Sequence, residues 1–260
     1  MGQEIERAKH LLHGLLVSGA VSKDSQNALL AVSGAALEVG RGLGELSSSR
    51  ELLLATILVD DSTSIASRID DIRLGHRRMC EALAVEAASA DVQVLTRALN
   101  RGVLFPFRNL ANAIPLTTEN FSEKHLVGET PLYTQSVLTL GTVLMKAREI
   151  EDTGASVRTF TLIITDGEDN DSRPITANHV RVLVADMVDL HTNHIVAGMG
   201  IGKRGDFSKV FRSMGIDRIY TAGASAEDLS AEFQKVARDL RLAASSEAAF
   251  LQLAAGSSPA

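Results

Sequence analysis

Three short stretches of the sequence bring carboxylates and hydroxyls close together. They are Asp60-Asp-Ser-Thr-Ser64, Gly128-Glu-Thr-Pro-Leu132 and Thr165-Asp-Gly167. Carboxylate and hydroxyl oxygens are the ligands of a hard cation such as Mg²⁺, whereas zinc usually selects thiols and imidazoles, which are missing from these stretches. The oxygen-rich cluster that begins at Asp60 is therefore interpreted as part of a magnesium site.

The spacing within the first stretch supports this interpretation. Asp60, Ser62 and Ser64 follow a D-x-S-x-S pattern, and alternate residues of an extended turn point to the same side. Each motif alone has a simpler explanation, because Asp and Ser cap helices, Asp-Gly forms ordinary turns and a Thr-Pro pair can begin a helix. All three motifs in order, each at a strand or helix boundary, favour a joint site.

The elements that must position these residues alternate between strand and helix patterns. Continuous apolar runs at 51–59, 157–165 and 194–201 are typical of strands buried on both faces, and a short strand is expected at 217–223. Residues 91–100 and 102–107 predict a hairpin at the sheet edge. The sequence therefore predicts an α/β fold with a doubly wound, mostly parallel central sheet, one antiparallel edge strand and helices on both faces. In such sheets, ligands bind at the carboxyl ends of the strands.

The chain is predicted to divide into three parts. Residues 1–46 show two helical patterns, at 3–19 and 24–43, which predict a helical hairpin extension. Residues 47–245 would form the α/β domain, and residues 246–260 a flexible tail.

Composition narrows the range of functions. The net charge of −6 argues against nucleic acid as the main partner, since no basic stripe is present. A single cysteine, Cys80, excludes a disulfide framework. The first residues are charged and no apolar run is long enough to span a membrane, so a cytoplasmic protein without membrane contact is expected. No catalytic triad, phosphate-binding loop or dinucleotide fingerprint is convincing, so we expect a protein that is not an enzyme.

From about residue 50 to residue 244, the chain resembles a von Willebrand factor A domain with an intact metal-ion-dependent adhesion site. The residues that carry the resemblance are VDDSTS, VGETPLYTQSV and IITDGED, in that order. The resemblance implies that Ser62, Ser64 and Thr130 bind the metal directly, and that Asp60 and Asp166 bind it or hold its waters. Glu129 departs from the family pattern, which often has a second glycine there.

The resemblance also implies a function. Members of this family use Mg²⁺, for which Mn²⁺ can substitute, to grip an Asp or Glu of a protein partner, usually without chemistry. Intracellular prokaryotic members often work beside AAA+ ATPases or in stress-response assemblies, so an adaptor or assembly role is expected.

Two alternatives remain open from the sequence. Phosphatases of the haloacid-dehalogenase type also place an Asp after the first strand and use Mg²⁺, but they need a second Asp where this chain has Ser62. Neither Lys124 nor Lys146 stands in a context that marks a phosphate-holding lysine. The other alternative is a metal-independent scaffold that acts through the N-terminal helices.

Overall fold

The computed structural model describes residues 2–32, 34–45, 49–86, 91–190, 193–202, 207–223 and 225–256. Its strands are β1 (Glu51–Val59), β2 (Asp91–Ala98), β3 (Gly102–Asn109), β4 (Ser156–Thr165), β5 (His194–Ile201) and β6 (Arg218–Ala222). Its helices are α1 (Gly2–Val17), α2 (Lys23–Ala31), α3 (Ala35–Gly42), α4 (Ile69–Glu86), α5 (Leu132–Glu151), α6 (Ala177–Ala185), α7 (Phe207–Ser213), α8 (Ala226–Ser245) and α9 (Glu247–Ala254). A π-helical turn, Asp186–Leu190, follows α6.

The strands form one sheet in the order β3-β2-β1-β4-β5-β6. All neighbours run parallel except β2 and β3, which pair antiparallel at the edge. The predicted fold class is confirmed, including the antiparallel edge strand. The order reverses between β1 and β4, because the chain leaves β1 toward β2 and later returns to pair β4 on its other side. The carboxyl ends of β1 and β4 therefore flank the crevice where ligands bind in such sheets.

Apolar helix faces cover both sides of the sheet. One core joins the sheet to α5, α6 and α7 and to the three N-terminal helices, and the other joins it to α4, α8 and α9. The strands at the centre are buried along nearly their whole length, which explains why they appear as continuous apolar runs in the sequence. Among the helices that the structure describes, none combines the length and the apolar character that a membrane-spanning helix needs.

The N-terminal residues differ from the predicted hairpin because they form three helices. The second predicted helix is interrupted between α2 and α3, where Val32 is extended and Gly34 has a φ of 72°. All three helices pack on the rest of the fold: α1 and α3 contact α5, α2 contacts α6, and α3 also contacts β3. Their apolar side chains, among them Leu12, Leu15 and Leu29, belong to the same core as the sheet.

A cluster of charges fixes these helices to α5. The Glu149 carboxylate accepts hydrogen bonds from Arg7, Nε to Oε1 and Nη2 to Oε2, each at 2.5 Å. It also pairs with Lys146 at 3.3 Å, and the side chain of Lys146 is fully buried. Burial lowers the pKa of Lys146, and the Glu149 carboxylate offsets part of this change. The Lys146 ammonium also donates to the backbone carbonyl of Glu45, which ends the N-terminal segment.

The end of the chain also differs from the prediction. Within the predicted flexible tail 246–260, residues Glu247–Ala254 form α9, which Ser246 caps by accepting the backbone N–H of Ala249. Phe250 and Leu253 are fully buried against the second core, so apolar contacts hold this helix in place. The predicted joint at residue 46 and the last four residues, 257–260, lie outside the described residues.

Candidate functional site

Asp60 begins the candidate site at the carboxyl end of β1. Its backbone N–H donates to the carbonyl of Ile164, which continues the pairing of β1 with β4. Its side chain is fully buried. Oδ1 accepts the backbone N–H of Ser62 at 2.8 Å, and Oδ2 accepts the hydroxyl of Thr165 at 2.7 Å. The loop after β1 and the last residue of β4 therefore hold the carboxylate in one orientation.

The two serines connect this carboxylate region to Asp166. Ser62 Oγ lies 2.8 Å from Ser64 Oγ, and the Ser64 hydroxyl donates to Asp166 Oδ1 at 2.7 Å. Ser62 precedes a 3₁₀ turn, Thr63–Arg68, but its side chain makes no capping hydrogen bond there. The simpler explanation for Ser62, that it only caps a helix, therefore lacks its expected contact. Through this turn, the Ser64 hydroxyl reaches Asp166, which directly follows β4.

Thr130 lies on the other side of the same cleft. Its side chain is 5% exposed. Its backbone N–H donates to Oδ1 of Asn170 at 2.7 Å, and its carbonyl accepts the backbone N–H of Asn170 at 3.1 Å. A cleft of about 350 Å³ brings the threonine together with Ser64 and Asp166. Gly128 and Gly167 also line the cleft, and a Cβ at either glycine would meet nothing within 4 Å.

The five predicted site residues therefore meet at one edge of the sheet. Four of them form a chain of hydrogen bonds that runs Asp60, Ser62, Ser64, Asp166, and Thr130 shares the cleft with the last two. Glu129, which departs from the family pattern, is exposed, and its carbonyl accepts the side-chain amide of Asn100. The departure at Glu129 therefore does not displace Thr130, which still lines the cleft.

The electrostatics of the cleft favour a bound cation. Burial raises the pKa of Asp60, the hydrogen bonds from Ser62 and Thr165 lower it in part, and the negative charge of Asp166 raises it further. A divalent ion between the two carboxylates would replace this repulsion with attraction. Two carboxylates and three hydroxyls are ligands suited to Mg²⁺, which binds few carboxylates and keeps several waters. Over the described part of the chain, no group of three or more His, Cys, Asp or Glu that could hold a metal is found.

Asp61 has a different role from the helix capping that its position suggests. Its side chain is fully buried. Oδ1 accepts the backbone N–H of Asn100 at 2.7 Å, and Oδ2 accepts Nε of Arg101 at 3.1 Å. The second aspartate thus fixes the turn between β2 and β3 beside the cleft, and it turns away from the hydroxyls that surround the first.

The acidic segment after Asp166, residues 168–171, supports the site through hydrogen bonds to the start of α5 and to Thr130. Asp169 Oδ1 accepts the backbone N–H of Tyr133 in the first turn of α5. The hydroxyl of Ser172 accepts the next free N–H, that of Thr134, at 3.0 Å. Together with Asn170, which holds Thr130, these residues anchor the start of α5 and the threonine before it. Glu168 remains exposed.

Sequence reasoning missed two residues that orient the site, Thr165 and Asn170. The sequence gives a signal for Thr165, because it directly precedes Asp166 at the end of a buried strand and its hydroxyl reaches Asp60. Asn170 gives no local signal, because its partner Thr130 lies 40 residues earlier in the chain.

Comparisons with known proteins support the fold but no closer relationship. A scan of protein-family models found no match, and a search of curated proteins found none either. Solved structures that resemble the chain include a von Willebrand factor type A protein from Catenulispora acidiphila (15% identity, 74% of this chain, 43% of that chain, TM-score 0.49). They also include the pilus adhesin SpaC from Lactobacillus rhamnosus GG (13% identity, 76% and 31% of the chains, TM-score 0.51) and the SpRpn10 VWA domain (11% identity, 71% and 95%, TM-score 0.48).

The chain spans less than half the length of the first two of these proteins. Two of the three are named as von Willebrand factor A proteins. At identities of 15% or less, the likeness concerns the fold alone.

Proposed function

We propose that this protein is a metal-dependent protein-binding module of the von Willebrand factor A type, with an adaptor or assembly role. Asp60, Ser62, Ser64, Thr130 and Asp166 hold Mg²⁺, for which Mn²⁺ can substitute. The ion then binds an Asp or Glu side chain of a protein partner. The observation that carries this proposal is the hydrogen-bonded chain from Asp60 through both serines to Asp166, with the threonine across the same cleft.

The charge balance of the site explains why it would bind an acidic partner. Three of its five ligands would be neutral hydroxyls, so the double charge of the ion would be neutralised in full only if both carboxylates bound it directly, and Asp166 Oδ1 already accepts the Ser64 hydroxyl. Open coordination positions on a cation favour an incoming carboxylate oxygen. The cleft is open where Gly128 and Gly167 line it, which leaves space for a side chain from outside.

The resemblance to intracellular prokaryotic members of the family extends the proposal to the partner and the compartment. An AAA+ ATPase or a component of a stress-response assembly is the expected class of partner, and the cytoplasm the expected location. The module would act by binding and not by catalysis.

Metal binding is tested by calorimetry and thermal unfolding of the purified chain. Titration with MgCl₂ or MnCl₂ should release or absorb heat with one site per chain, and Ser64→Ala should weaken the binding. At a metal concentration 100 times Kd, the ion should stabilise the fold by about 2.7 kcal/mol relative to EDTA. For a chain of this size, that corresponds to a rise in Tm of roughly 5–10 °C. The absence of both heat and stabilisation would reject the metal site.

Partner binding is tested by capture from the native lysate in Mg²⁺ and in EDTA, with Thr130→Ala as the site variant. We expect a partner that is captured by the wild type in Mg²⁺ and lost in EDTA and in the variant, while circular dichroism shows an unchanged fold. Thr153→Ala is a matched control, because its hydroxyl only bonds the carbonyl of Ile150 at the far end of α5. Equal capture by Thr130→Ala would contradict the proposed role of the threonine.

The phosphatase alternative is less well supported by the surroundings of its required residues. Ser62 stands where that mechanism needs an aspartate, and its hydroxyl lies against Ser64. Lys146 is buried beneath the N-terminal helices, and Lys124 is exposed. Hydrolysis of p-nitrophenyl phosphate that disappears in Asp60→Asn would favour this alternative. The scaffold alternative is also less well supported, since most apolar side chains of the N-terminal helices, among them Leu12, Leu15 and Leu29, pack in the core of the fold.

A further inference from the structure

A single side-chain amide joins two of the three stretches that form the metal cleft. Asn100 lies in the turn between β2 and β3. Its Nδ2 atom donates to Oδ1 of Asp61 at 3.1 Å and to the backbone carbonyl of Glu129 at 2.9 Å. Asp61 is fully buried in the loop after β1, and Glu129 directly precedes Thr130. The amide thus connects the loop that carries Asp60 to the loop that carries the threonine.

The peptide group that joins Glu129 to Thr130 is held at both of its polar atoms. Its carbonyl accepts the Asn100 amide, and its N–H donates to Oδ1 of Asn170 at 2.7 Å. The two asparagines come from different loops, one after β2 and one after β4. A rotation of this peptide group, which would turn the threonine, therefore has to break both hydrogen bonds.

The threonine side chain depends on this backbone for its position. The Thr130 hydroxyl forms no hydrogen bond to any residue that the structure describes, so no such contact orients it. A β-branched side chain has few χ1 rotamers, and the backbone therefore largely sets the direction of the hydroxyl. Ligand groups must be held within about 0.5 Å of their working geometry by the residues that support them. The hydrogen bonds of this one peptide group therefore bear on metal affinity.

We propose, on the basis of the proposed function, that Asn100 is a positioning residue of the metal site. It does not line the cleft, and it acts by fixing the Glu129 carbonyl and hence the threonine that binds the ion. Residues that orient metal ligands from behind typically contribute 10–100-fold to metal affinity. Asn100→Ala removes this support selectively, because the backbone N–H of residue 100 still donates to Asp61 at 2.7 Å and Arg101 still bonds the same carboxylate.

The test compares the binding of MnCl₂ to the full wild-type chain and to Asn100→Ala by isothermal titration calorimetry. We expect Asn100→Ala to bind Mn²⁺ about tenfold more weakly than the wild type. Asn178→Ala is a matched control, because Asn178 is an exposed residue of α6 whose side chain accepts a hydrogen bond from Arg181. The control variant should bind Mn²⁺ as tightly as the wild type.

Two further readouts separate positioning from a general loss of stability. In EDTA, the Thr130 N–H should exchange with solvent about fivefold faster in Asn100→Ala, as the loss of one hydrogen bond predicts, while the N–H of residue 100 keeps its wild-type rate. The effect on Mn²⁺ should also require the threonine. In a Thr130→Ala background, Asn100→Ala should weaken Mn²⁺ binding by less than about twofold.

The possible failures of this inference and of the proposed function are distinguishable. Equal Mn²⁺ binding by Asn100→Ala and the wild type would overturn the inference and leave the proposed function in place. A tenfold effect that persists in the Thr130→Ala background would also overturn it, since the amide would then act through another ligand. A wild-type chain that binds no Mn²⁺ would reject the proposed function and the inference together. If Asn100→Ala does not fold, Asn100→Ser replaces it, because its hydroxyl offers one donor for two acceptors, and Mn²⁺ binding should again weaken.

Discussion

Replacing Glu149 by alanine should destabilise the whole fold, because this carboxylate joins the N-terminal helices to α5. The change removes two hydrogen bonds of 2.5 Å from Arg7 and the 3.3 Å contact with Lys146. The Glu149 side chain is 12% exposed, and that of Lys146 is fully buried. Breaking a buried pair by removing one partner costs about 3–5 kcal/mol.

Two features of the cluster place the expected loss at the lower end of this range. The Arg7 side chain is 30% exposed, so water can solvate its guanidinium once the carboxylate is gone. The Lys146 ammonium keeps the carbonyl of Glu45 as an acceptor. We therefore expect Glu149→Ala to lower the free energy of unfolding by about 3 kcal/mol, and Tm by roughly 6–12 °C.

Urea unfolding followed by circular dichroism measures this loss, with an unchanged m value as the sign that the same structure unfolds. Glu6→Ala is a matched control, because Glu6 forms an exposed ion pair with Lys9 at 2.8 Å in the same protein. That variant should lose less than about 0.5 kcal/mol. A loss below about 1 kcal/mol in Glu149→Ala would refute the reasoning, since the cluster would then contribute no more than a surface pair.

Three further predictions concern other parts of the fold, and each is measured by urea unfolding. Gly44→Ala should lower the free energy of unfolding by roughly 2 kcal/mol, because φ at Gly44 is 57° and a Cβ would lie 1.8 Å from the carbonyl oxygen of Phe107. The control is Gly14→Ala in α1, where a Cβ would meet nothing within 4 Å, and this variant should be as stable as the wild type or more stable. Burial lowers the pKa of His76 to about 4, so His76 takes up a proton in the unfolded chain before it does in the folded chain as the pH falls. The free energy of unfolding should therefore drop by about 3 kcal/mol between pH 6.5 and pH 4. His76→Gln should remove that part of the pH dependence. Phe250→Ala should cost about 3 kcal/mol, because the ring is fully buried beneath α9; no change would mean that this helix does not stabilise the fold.

The parts of the fold that follow from local sequence pattern were predictable. β1 has the bounds that its apolar run predicts, Glu51–Val59, because a strand buried on both faces is apolar at every position. The hairpin of β2 and β3 is also where the sequence places it. The order of the three oxygen-rich motifs predicts which residues meet, since parallel strands and their loops bring carboxyl ends together.

Features that depend on partners distant in sequence were not predictable. Asp61 accepts hydrogen bonds from Asn100 and Arg101, about 40 residues later in the chain, and no local pattern distinguishes Asp61 from the neighbouring Asp60. The break between α2 and α3 escaped prediction because both helices pack on α5, so the apolar spacing continues across Gly34. The buried face of α9 gave little signal because the helix has only 8 residues, about two turns.

The way α1–α3 share an interior with the sheet has a practical consequence for experiments on binding. A chain shortened to begin at β1 would leave the aliphatic side of α5 facing water and Lys146 without its covering segment, so it would tend to aggregate. If such a chain captured no partner, the result would carry no information about the N-terminal helices. Charge substitutions at Val17 and Leu30, which are 70% and 61% exposed, examine the outer side of these helices while the interior stays closed. Both residues belong to the surface that a protein docking on these helices would meet.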